Sequence, residues 1–432
     1  MEPFAERRRL LLERLDGAVA VLASAPVALR NNDVEHEYRQ DSDLYYLTGF
    51  DEPEAVLVVA PRHAEHRFVL FVRPRDPERE TWDGARAGVE GAVARYGADA
   101  AFPIAELDAK LPDYLSGHER MICKVGRDGA FDAHVFRALD RARARGRNGS
   151  PWPTEIVDPS RVVHEMRLVK SEAELATMRE AAVITREGHE GAMRLAAPGM
   201  YEYEVEALLR DVFRRRGCER HAYAPIVGSG PNATVLHYHS NDRKMEAGDL
   251  LLIDAGCELR YYASDVTRTF PVSGTFSPAQ RAIYQLVLDA ELASIDAVRP
   301  GATVDDVHAR SVDVIVDGLL ALGLLAGDRE KILADQTYKR FFMHRTSHWL
   351  GMDVHDVGAY HLGGEPRALA PGMVLTVEPG IYISPGDTEV PEAYRGIGVR
   401  IEDDVCVTAS GGEVLTADIP KTVEDVERAC AG

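Results

Sequence analysis

Two stretches of the chain share one pattern of apolar and acidic positions. In AGDLLLIDAG, residues 247–256, four large apolar residues follow a Gly-Asp turn and end on Asp254. An unbroken apolar run between turn signals predicts a strand that is buried on both faces. A second run at residues 260–270 is rich in Tyr and Thr and carries Asp265. Because an unpaired buried carboxylate is costly, the pattern predicts a cation close to these acids.

The same pattern returns in PGMVLTVEPG, residues 371–380, where Glu378 takes the place of Asp254. Glu402 likewise matches Asp265, since each stands nine residues before the glycine of a Ser-Gly turn. Internal similarity changes the predicted fold. Two copies of a strand pair, each with two carboxylates, predict a duplicated, pseudo-symmetric domain and not a solenoid.

The first part of the chain alternates strand and helix patterns, which predicts an α/β domain. A break in composition follows at residues 146–161, GRNGSPWPTEIVDPSR. Ser171 and Glu174 then form a capping box that begins a helix running to about residue 196. We therefore predict one domain at residues 1–170 and a second at 171–432. The predicted elements of the first are helices at 5–15, 86–96 and 128–145, and strands at 18–23, 44–47, 55–60 and 68–72.

Strand and helix patterns come in blocks in the second part, which predicts the α+β class. This class applies to the part that carries the duplicated strand pairs. The further elements predicted here are helices at 201–215, 278–297 and 303–323, and strands at 221–228 and 234–238.

Composition and charge exclude several classes of function. The 432 residues are 45% apolar and 28% charged, which is ordinary for a globular protein of two or three domains. A net charge of −20 argues against nucleic acid as a partner and against a polybasic membrane anchor. No run is long enough to span a membrane. Five scattered cysteines without a CxxC pair indicate reduced thiols and a cytoplasmic location.

A His-rich stretch supplies the remaining candidate chemistry. FMHRTSHWLGMDVHD, residues 342–356, holds His344, His348 and His355. Four matched carboxylates with one or more imidazoles form a hard, oxygen-rich donor set. Such a set favours manganese, or else cobalt, zinc or iron, over a structural Cys-type zinc. Four negative charges exceed what one divalent ion neutralises, so we expect two ions that share bridging carboxylates.

The acids and the histidine then show a family resemblance. Their order resembles the five-ligand pattern of the pita-bread metallopeptidases. The segments LLLIDAG, SDVTRTFPV, SHWLGMDVHDVG, TVEPGIYI and GVRIEDDV are similar to those of the Xaa-Pro aminopeptidases (aminopeptidase P) within that family. Residues 30–59 resemble the N-terminal domain of the same enzymes. The resemblance implies a C-terminal pita-bread domain of duplicated strand pairs with flanking helices. A smaller α/β domain of the creatinase/prolidase type would precede it. The five implied ligands are Asp254, Asp265, His348, Glu378 and Glu402.

The resemblance also implies a division of labour among the ligands. Asp254 would chelate one ion, Asp265 and Glu402 would bridge both, and His348 and Glu378 would hold the other. A metal-bridging hydroxide would attack the peptide bond that precedes a proline in the second position. Glu378 would then pass the proton to the leaving proline nitrogen.

Further positions match family residues around the ligands. His237 and His355 match residues that hold the substrate carbonyl and the tetrahedral intermediate, and His344 matches another pocket histidine. Arg400 matches an arginine behind the ligands, and Asp33 of the N-terminal domain matches its partner. The pattern leaves open whether His239 lies in the pocket or is merely exposed. His221 and His361 are expected to be ordinary surface histidines.

Trp82 connects the sequence to oligomer formation. It stands in ETWDGARAG, which we expect to be a polar loop after the strand at 68–72. A tryptophan needs about 150–250 Å² of contact, which its own domain or a neighbour can provide. ETWDGARAG is similar to the family segment whose tryptophan reaches the active site of the next subunit. The resemblance therefore implies a homodimer or homotetramer.

The function implied is hydrolysis of peptides with proline in the second position. Prolidase, which takes only Xaa-Pro dipeptides, shares the ligands and the N-terminal domain and stays open as an alternative. A non-catalytic peptide-binding relative is disfavoured by the intact set of five ligands. The creatinase type shares the two-domain build and lacks the metal set.

Overall fold

The computed structural model describes residues 2–431, apart from the side chains of residues 2 and 148. The chain forms two compact units, one ending at Arg167 and the other beginning at Leu168. Helices in the first unit are α1 Glu2–Arg14, α2 Ser42–Thr48, α3 Pro77–Asp83, α4 Gly88–Ala94, α5 Leu107–Leu115, α6 Gly129–Arg145 and, at the junction, α7 Val163–Leu168. Its strands are β1 Val19–Ala23, β2 Leu29–Asn31, β3 Val34–Glu35, β4 Val56–Val59, β5 Phe68–Val72, β6 Ala100–Pro103, β7 Arg120–Ile122 and β8 Glu155–Val157.

The first unit is built on a mixed six-stranded sheet in the order β6-β5-β4-β1-β7-β8. Strand β1 pairs antiparallel with β4 and parallel with β7. The predicted strands at 18–23, 55–60 and 68–72 are confirmed, and β4 and β5 are fully buried. Leu111 of α5 and Val135 of α6 belong to the same apolar core as Val58 and Phe71. This arrangement is the α/β build that the alternating pattern predicts.

The predicted strand at residues 44–47 is wrong, because this segment forms α2. The Asp41 carboxylate accepts hydrogen bonds from the backbone N–H groups of Asp43 and Leu44, at 3.0 and 3.2 Å. Gly49 ends the helix in the left-handed conformation with φ of +67°. These two caps satisfy the backbone groups at the helix ends and outweigh the strand preference of the short apolar run.

The segment around Trp82 also differs from the expectation of a loop. It forms the short helix α3, in which Asp76 caps the N-terminus and Pro77 occupies the first turn. Proline suits that position, since its missing N–H has no partner in the first turn of a helix. Trp82 is 85% exposed, so it does not fold back on its own domain.

The second unit contains longer helices and several small antiparallel sheets. Helix α8 begins at the predicted capping box, where the Ser171 N–H donates to Glu174 Oε2 at 2.9 Å. Helices of the unit are α8 Glu172–Leu195, α9 Glu202–Arg215, α10 Pro278–Ala297, α11 Val304–Ala321, α12 Arg329–Ala334 and α13 Val423–Ala431. Its strands are β9 Arg220–His221, β10 Ile226–Ser229, β11 Leu250–Asp254, β12 Cys257–Leu259, β13 Tyr262–Ala263, β14 Thr267–Pro271, β15 His361–Leu362, β16 Glu365–Pro366, β17 Val374–Val377, β18 Gly380–Tyr382, β19 Gly398–Arg400, β20 Asp403–Val407 and β21 Gly412–Val414.

Two strand predictions fail in the second unit next to prolines. The single strand expected at 221–228 is divided into β9 and β10, with Pro225 between them. Proline has no N–H for a strand ladder, so it interrupts the run. The strand expected at 234–238 is absent from the described residues. A 3-10 turn at Gly230–Thr234 is followed there by irregular backbone.

The duplication predicted from the acidic pattern is visible in the sheets. One three-stranded sheet has the order β10-β11-β14 and another has the order β17-β20-β21. The antiparallel pair β11–β14 aligns Asp254 with Thr267, and the pair β17–β20 aligns Val377 with Asp403. Each copy therefore ends next to two of the matched acids. The predicted α+β pita-bread architecture is confirmed.

Helices α8 to α11 share one apolar core with the first copy of the strand pair. Ile184, Leu209, Val287 and Ile315 pack in the same cluster as Leu251. This core fixes the strands whose ends carry the acids. Across the described residues, none of the helices combines the length and apolar character needed to cross a bilayer.

Candidate metal centre

The ends of the duplicated strand pairs converge on one cavity of about 810 Å³. One ligand atom from each of Asp265, His348 and Glu402 lies within 4.8 Å of the others. His348 Nε2 is 3.3 Å from Asp265 Oδ2 and 3.6 Å from Glu378 Oε1. The Tyr223 hydroxyl joins the last acid to the group, because its oxygen lies 2.5 Å from Asp254 Oδ1 and also contacts Asp265 Oδ1. The structure thus brings all five predicted ligands together.

Backbone and hydroxyl contacts fix the carboxylates. The Asp265 N–H donates to the Asp404 carboxylate at 3.2 Å. Thr267 holds Glu402 twice, since its carbonyl accepts the Glu402 N–H at 3.1 Å and its hydroxyl donates to Glu402 Oε2 at 2.6 Å. The Glu378 N–H donates to a neighbouring carbonyl at 2.8 Å. The acids are therefore positioned by the two strand pairs and not by flexible surface loops.

Hydrogen bonds to its ring and to its backbone fix the orientation of His348. Its N–H donates to Thr376 Oγ1 at 3.2 Å, and its carbonyl accepts the Thr376 N–H at 3.0 Å. Ring nitrogen Nδ1 lies 3.0 Å from the Trp349 carbonyl, which requires Nδ1 to be the donor. Nε2 consequently faces the carboxylates, and a contact of this kind is the usual way to orient an imidazole ligand.

Glu402 and Glu378 resist ionisation because they are enclosed among like charges. Burial, with the charges of Asp265 and Glu378, raises the pKa of Glu402 well above its ordinary value. Burial likewise raises the pKa of Glu378 to about 7. Burial should lower the pKa of His348, but its contact with Asp265 and the charge of Glu378 raise it to about 9. The neighbouring carboxylates thus stabilise the protonated form of His348 more than burial destabilises it.

This donor set fits divalent metal ions. Carboxylate oxygens and one imidazole nitrogen, gathered in one cavity, are the ligands that hard and borderline ions prefer. Each acid is already held by a neighbouring donor, as is usual around metal ligands. The arrangement therefore meets the requirements of the ions that the sequence predicts.

Arg400 lies behind the ligands, and each of its three guanidinium nitrogens makes a contact. It is 3% exposed and contacts Asp254 at 2.5 Å, the Tyr382 hydroxyl at 2.9 Å and Thr267 Oγ1 at 3.0 Å. Asp33 lies in the first unit, exposed in the turn between β2 and β3. Its partnership with Arg400 stays a prediction.

The predicted pocket histidines line the cavity at different depths. His344 Nε2 lies 2.9 Å from the Tyr382 hydroxyl, and burial lowers the pKa of His344 to about 3. His355 packs edge-on against His348, with ring centroids 4.5 Å apart. His237 is exposed and stacks with His239. The sequence left open whether His239 lies in the pocket or is exposed, and the structure shows that it lines the cavity and is exposed.

Two other histidines were expected to be ordinary surface residues. His221 lies in β9, with Nδ1 3.1 Å from the Arg210 guanidinium. His361 lines the cavity at the start of β15. Nothing in its sequence context distinguished it, because it stands in a hairpin of ordinary polar composition.

Some residues of the site were not found from the sequence. Tyr223 lies in the irregular segment between β9 and β10, where periodicity carries no information. Tyr382 and Thr267 are strand residues whose partners come from distant strands. A signal for Asp404 did exist, since Glu402-Asp403-Asp404 are three successive acids that lead into the apolar run of strand β20.

A cluster of four carboxylates and one imidazole, lining one cavity at the ends of duplicated strand pairs, defines a pita-bread metallohydrolase. The family model for the aminopeptidase P N-terminal domain matches residues 4–123, and the model for metallopeptidase family M24 matches residues 176–409. The chain belongs to metallopeptidase family M24, in the group that carries the aminopeptidase P N-terminal domain. This membership confirms the predicted family and the prediction of a hydrolase, and it implies divalent metal ions.

Similar proteins cover almost the whole chain. It is 45% identical to Xaa-Pro aminopeptidase of Escherichia coli, across 99% of this chain and 97% of the relative. It is 42% identical to Xaa-Pro aminopeptidase of Haemophilus influenzae, across 99% and 96%. Aminopeptidase PepP of Pseudomonas aeruginosa superposes with a TM-score of 0.97 at 50% identity, covering 100% and 98% of the chains. Zinc-substituted aminopeptidase P of Escherichia coli in complex with product gives 0.95 at 45% identity, covering 100% and 98%.

Proposed function

We propose that this chain is a Xaa-Pro aminopeptidase, which hydrolyses the bond between an N-terminal residue and a following proline. The observation that carries the proposal is the convergence of all five predicted ligands on one cavity lined by three further predicted histidines. Near full-length similarity to Xaa-Pro aminopeptidases supports the same activity. The substrates are peptides with proline in the second position.

The proposed cofactor is a pair of divalent ions, with manganese preferred over cobalt, zinc or iron. Asp254 would hold one ion, His348 and Glu378 the other, and Asp265 and Glu402 both. The raised pKa values of Glu378 and Glu402 support this assignment, because a single divalent charge would leave part of the cluster uncompensated. When bound, such ions supply Lewis acidity and lower the pKa of a water molecule towards neutrality.

Glu378 is proposed to move the proton. The leaving proline nitrogen has no hydrogen of its own and departs as an amine only after it accepts one. Glu378 lines the cavity next to His348, and a carboxylate beside a reacting water is a common general base that then acts as a general acid. It would accept the proton from the attacking water and deliver it to the proline nitrogen.

Two histidines are proposed to bind the oxygen on which charge develops. His355 packs against His348, and His237 lines the same cavity from the segment after β10. Ring N–H groups in these places would hold the substrate carbonyl and then the oxyanion of the tetrahedral intermediate. Preorganised donors of this kind are usually a large part of catalysis in acyl transfer.

Arg400 and His344 are proposed to orient the groups that react. Arg400 contacts Asp254, and the Tyr382 hydroxyl contacts both Arg400 and His344. Asp33 is proposed to complete the contacts of Arg400 from the N-terminal domain. A guanidinium held from several sides would keep its ligand in place during turnover.

The proposed domain roles follow the two parts of the chain. Residues 1–170 would select substrates and mediate oligomer formation, and residues 171–432 would carry out catalysis. Trp82 supports the first role, because 85% exposure of so large a side chain is costly without a partner. A cytoplasmic homodimer or homotetramer, with Trp82 in the neighbour's site, is the proposed working form.

Peptide length tests the proposal directly. With manganese added, the chain should release the first residue from Xaa-Pro-Yaa and longer peptides and leave matched peptides without proline intact. Cleavage restricted to Xaa-Pro dipeptides would instead identify a prolidase. Bound metal without hydrolysis of either substrate would indicate a peptide-binding relative and refute the proposed activity.

A further inference from the structure

The cavity carries a group of charged side chains that the proposed reaction does not use. Arg345, Asp305 and His361 line the cavity. Their side chains are 56%, 46% and 56% exposed, whereas the ligands Asp265 and Glu402 are almost fully buried. The three side chains therefore lie at the mouth of the cavity and not at the metal centre.

The mouth group consists of one ion pair, Arg345 with Asp305, and an imidazole beside it. The Arg345 guanidinium contacts one oxygen of the Asp305 carboxylate, and His361 Nε2 lies 3.9 Å from the other oxygen. Asp305 is in the first turn of α11, where Thr303 caps the helix. The partial positive charge of a helix N-terminus stabilises a carboxylate in that turn. Asp305 thus has two sources of positive charge around it, the Arg345 guanidinium and the N-terminus of α11.

Arg345 is the member that is able to take a further partner. A guanidinium offers five N–H donors in a planar fork, and its contact with Asp305 runs through one nitrogen, Nη2. More than half of the side chain is exposed, so a second anion has access to it. By comparison, the deeper arginine of the site, Arg400, is buried with its nitrogens already occupied.

If the chain has the proposed aminopeptidase activity, its substrate has to pass this group of side chains. An aminopeptidase encloses the first residue of its substrate and acts on the bond that follows it. The remainder of the peptide, from the residue after proline onwards, must leave through the mouth. Tyr360 and Pro366 line the cavity beside the charged group and give the departing chain an apolar wall.

We propose that Arg345 and Asp305 form a subsite that selects for a carboxylate just after the proline. The carboxylate has two possible sources: the C-terminus of a tripeptide or an acidic side chain at the third residue. Arg345 would bind this group, and Asp305 would temper the preference by holding part of the guanidinium's charge. Loss of Arg345 would leave Asp305 facing the peptide and turn attraction into repulsion.

The test measures kcat/KM as a ratio between matched substrates within each variant. One pair compares Xaa-Pro-Ala as the free acid with its C-terminal amide, and the other compares Glu with Gln at the third residue of longer amidated peptides. Charge pairs at partly exposed sites are modest, so we expect wild type to favour the carboxylate by about three- to tenfold at low salt. Added salt should reduce the ratio.

The two variants should move the ratio in opposite directions. Arg345→Gln should bring the ratio to one or below, and Asp305→Asn should raise it above wild type. The change should fall mainly on KM, because this contact is remote from the reacting atoms. Arg340→Gln is the matched control: Arg340 also pairs with an aspartate, Asp387, on the loop after β18, and its loss should leave the ratio unchanged.

The outcomes separate this inference from the activity on which it rests. A response to amidation alone identifies the C-terminal carboxylate as the ligand, and a response to Glu against Gln alone identifies the side chain. Equal ratios in wild type, Arg345→Gln and Arg340→Gln overturn the subsite, as does a lower ratio in Asp305→Asn. Failure of wild type to cleave even the neutral Xaa-Pro peptides refutes the proposed function and this inference with it.

Discussion

Tyr223 shows how much a single side chain contributes to the centre. Its hydroxyl contacts both Asp254 and Asp265, two acids whose like charges repel each other. It stands in an irregular segment, so no periodic pattern draws attention to it. A phenol that touches two proposed ligands fixes their spacing before any ion arrives.

Replacement of Tyr223 by Phe should therefore weaken metal binding while the fold is kept. Loss of a residue that orients ligands typically lowers metal affinity by about 10- to 100-fold. A competition titration against a metal-binding dye measures this directly. Tyr284→Phe is a matched control, since it removes another buried hydroxyl that donates to a backbone carbonyl at 2.8 Å. If Tyr223→Phe and Tyr284→Phe bind metal with equal affinity, the Tyr223 hydroxyl does not position the ligands.

The adjacent histidines His348 and His355 should separate metal binding from catalysis. His348 faces the carboxylates, whereas His355 packs against it from the side. His355→Ala should keep its metal and lose about 10²–10³ in kcat, the usual effect of removing a donor to an oxyanion. His348→Ala should lose metal. If elemental analysis shows that both variants have lost the same amount of metal, His355 is a metal ligand as well as His348, and the assignment of a single histidine ligand is wrong.

Local elements depend on charged contacts as well as on apolar pattern. In the first unit Asp43 of α2 contacts Arg167 and His164 of α7 at 2.7 and 3.0 Å. Burial alone would raise the pKa of Asp43, but the hydrogen bond from His164 and the charge of Arg167 outweigh it and hold the pKa well below its ordinary value. The ionised carboxylate thus ties two helices together.

This contact should make stability fall in acid. A carboxyl with a lower pKa in the folded state stabilises the fold above its unfolded pKa of about 3.9 and loses that contribution as pH falls towards the folded pKa. Asp43→Asn should lower the free energy of unfolding by about 3–5 kcal/mol at pH 7, because Arg167 keeps a buried charge. Urea unfolding at pH 7 and at pH 3 checks both effects. The difference between variant and wild type should shrink at pH 3.

The elements also show what the sequence was able to predict. Strands β11 and β17 were found because unbroken apolar runs end on acids, and repetition made the pattern specific. The helix α2 was missed because the run Leu44–Leu47 suits a buried strand equally well, and its caps, Asp41 and Gly49, decided the outcome. The contacts of Tyr223, Thr267 and Tyr382 depend on how distant strands pack, which local pattern does not encode.

At the scale of the whole molecule, the centre should be part of the stability of the fold. Ligands that bind only the native state add RT ln(1 + [L]/Kd) to the free energy of unfolding. Chelation should abolish activity and lower the thermal midpoint, and titration with manganese should restore both at two equivalents per chain. Asp265→Ala and Glu402→Ala should gain little from manganese. A single equivalent that restores full activity would contradict shared ligation.

Trp82 should report on assembly. Its exposed ring on α3 is proposed to enter the site of a neighbouring subunit. Wild type should have a solution mass of two or four chains, and Trp82→Ala should cleave long peptides less efficiently while circular dichroism stays unchanged. Trp152→Ala, which removes a partly buried tryptophan of the same unit, serves as the comparison. A monomer with full activity on every peptide length would assign Trp82 to local structure.

The duplicated strand pairs have a consequence for the timing of synthesis. The first pair supplies Asp254 and Asp265, and the second, nearer the C-terminus, supplies Glu378 and Glu402. A growing chain on the ribosome therefore holds two of the five proposed ligands, Asp254 and Asp265, well before the second strand pair has been made. The proposed centre is therefore incomplete until the second strand pair has emerged and packed beside the first.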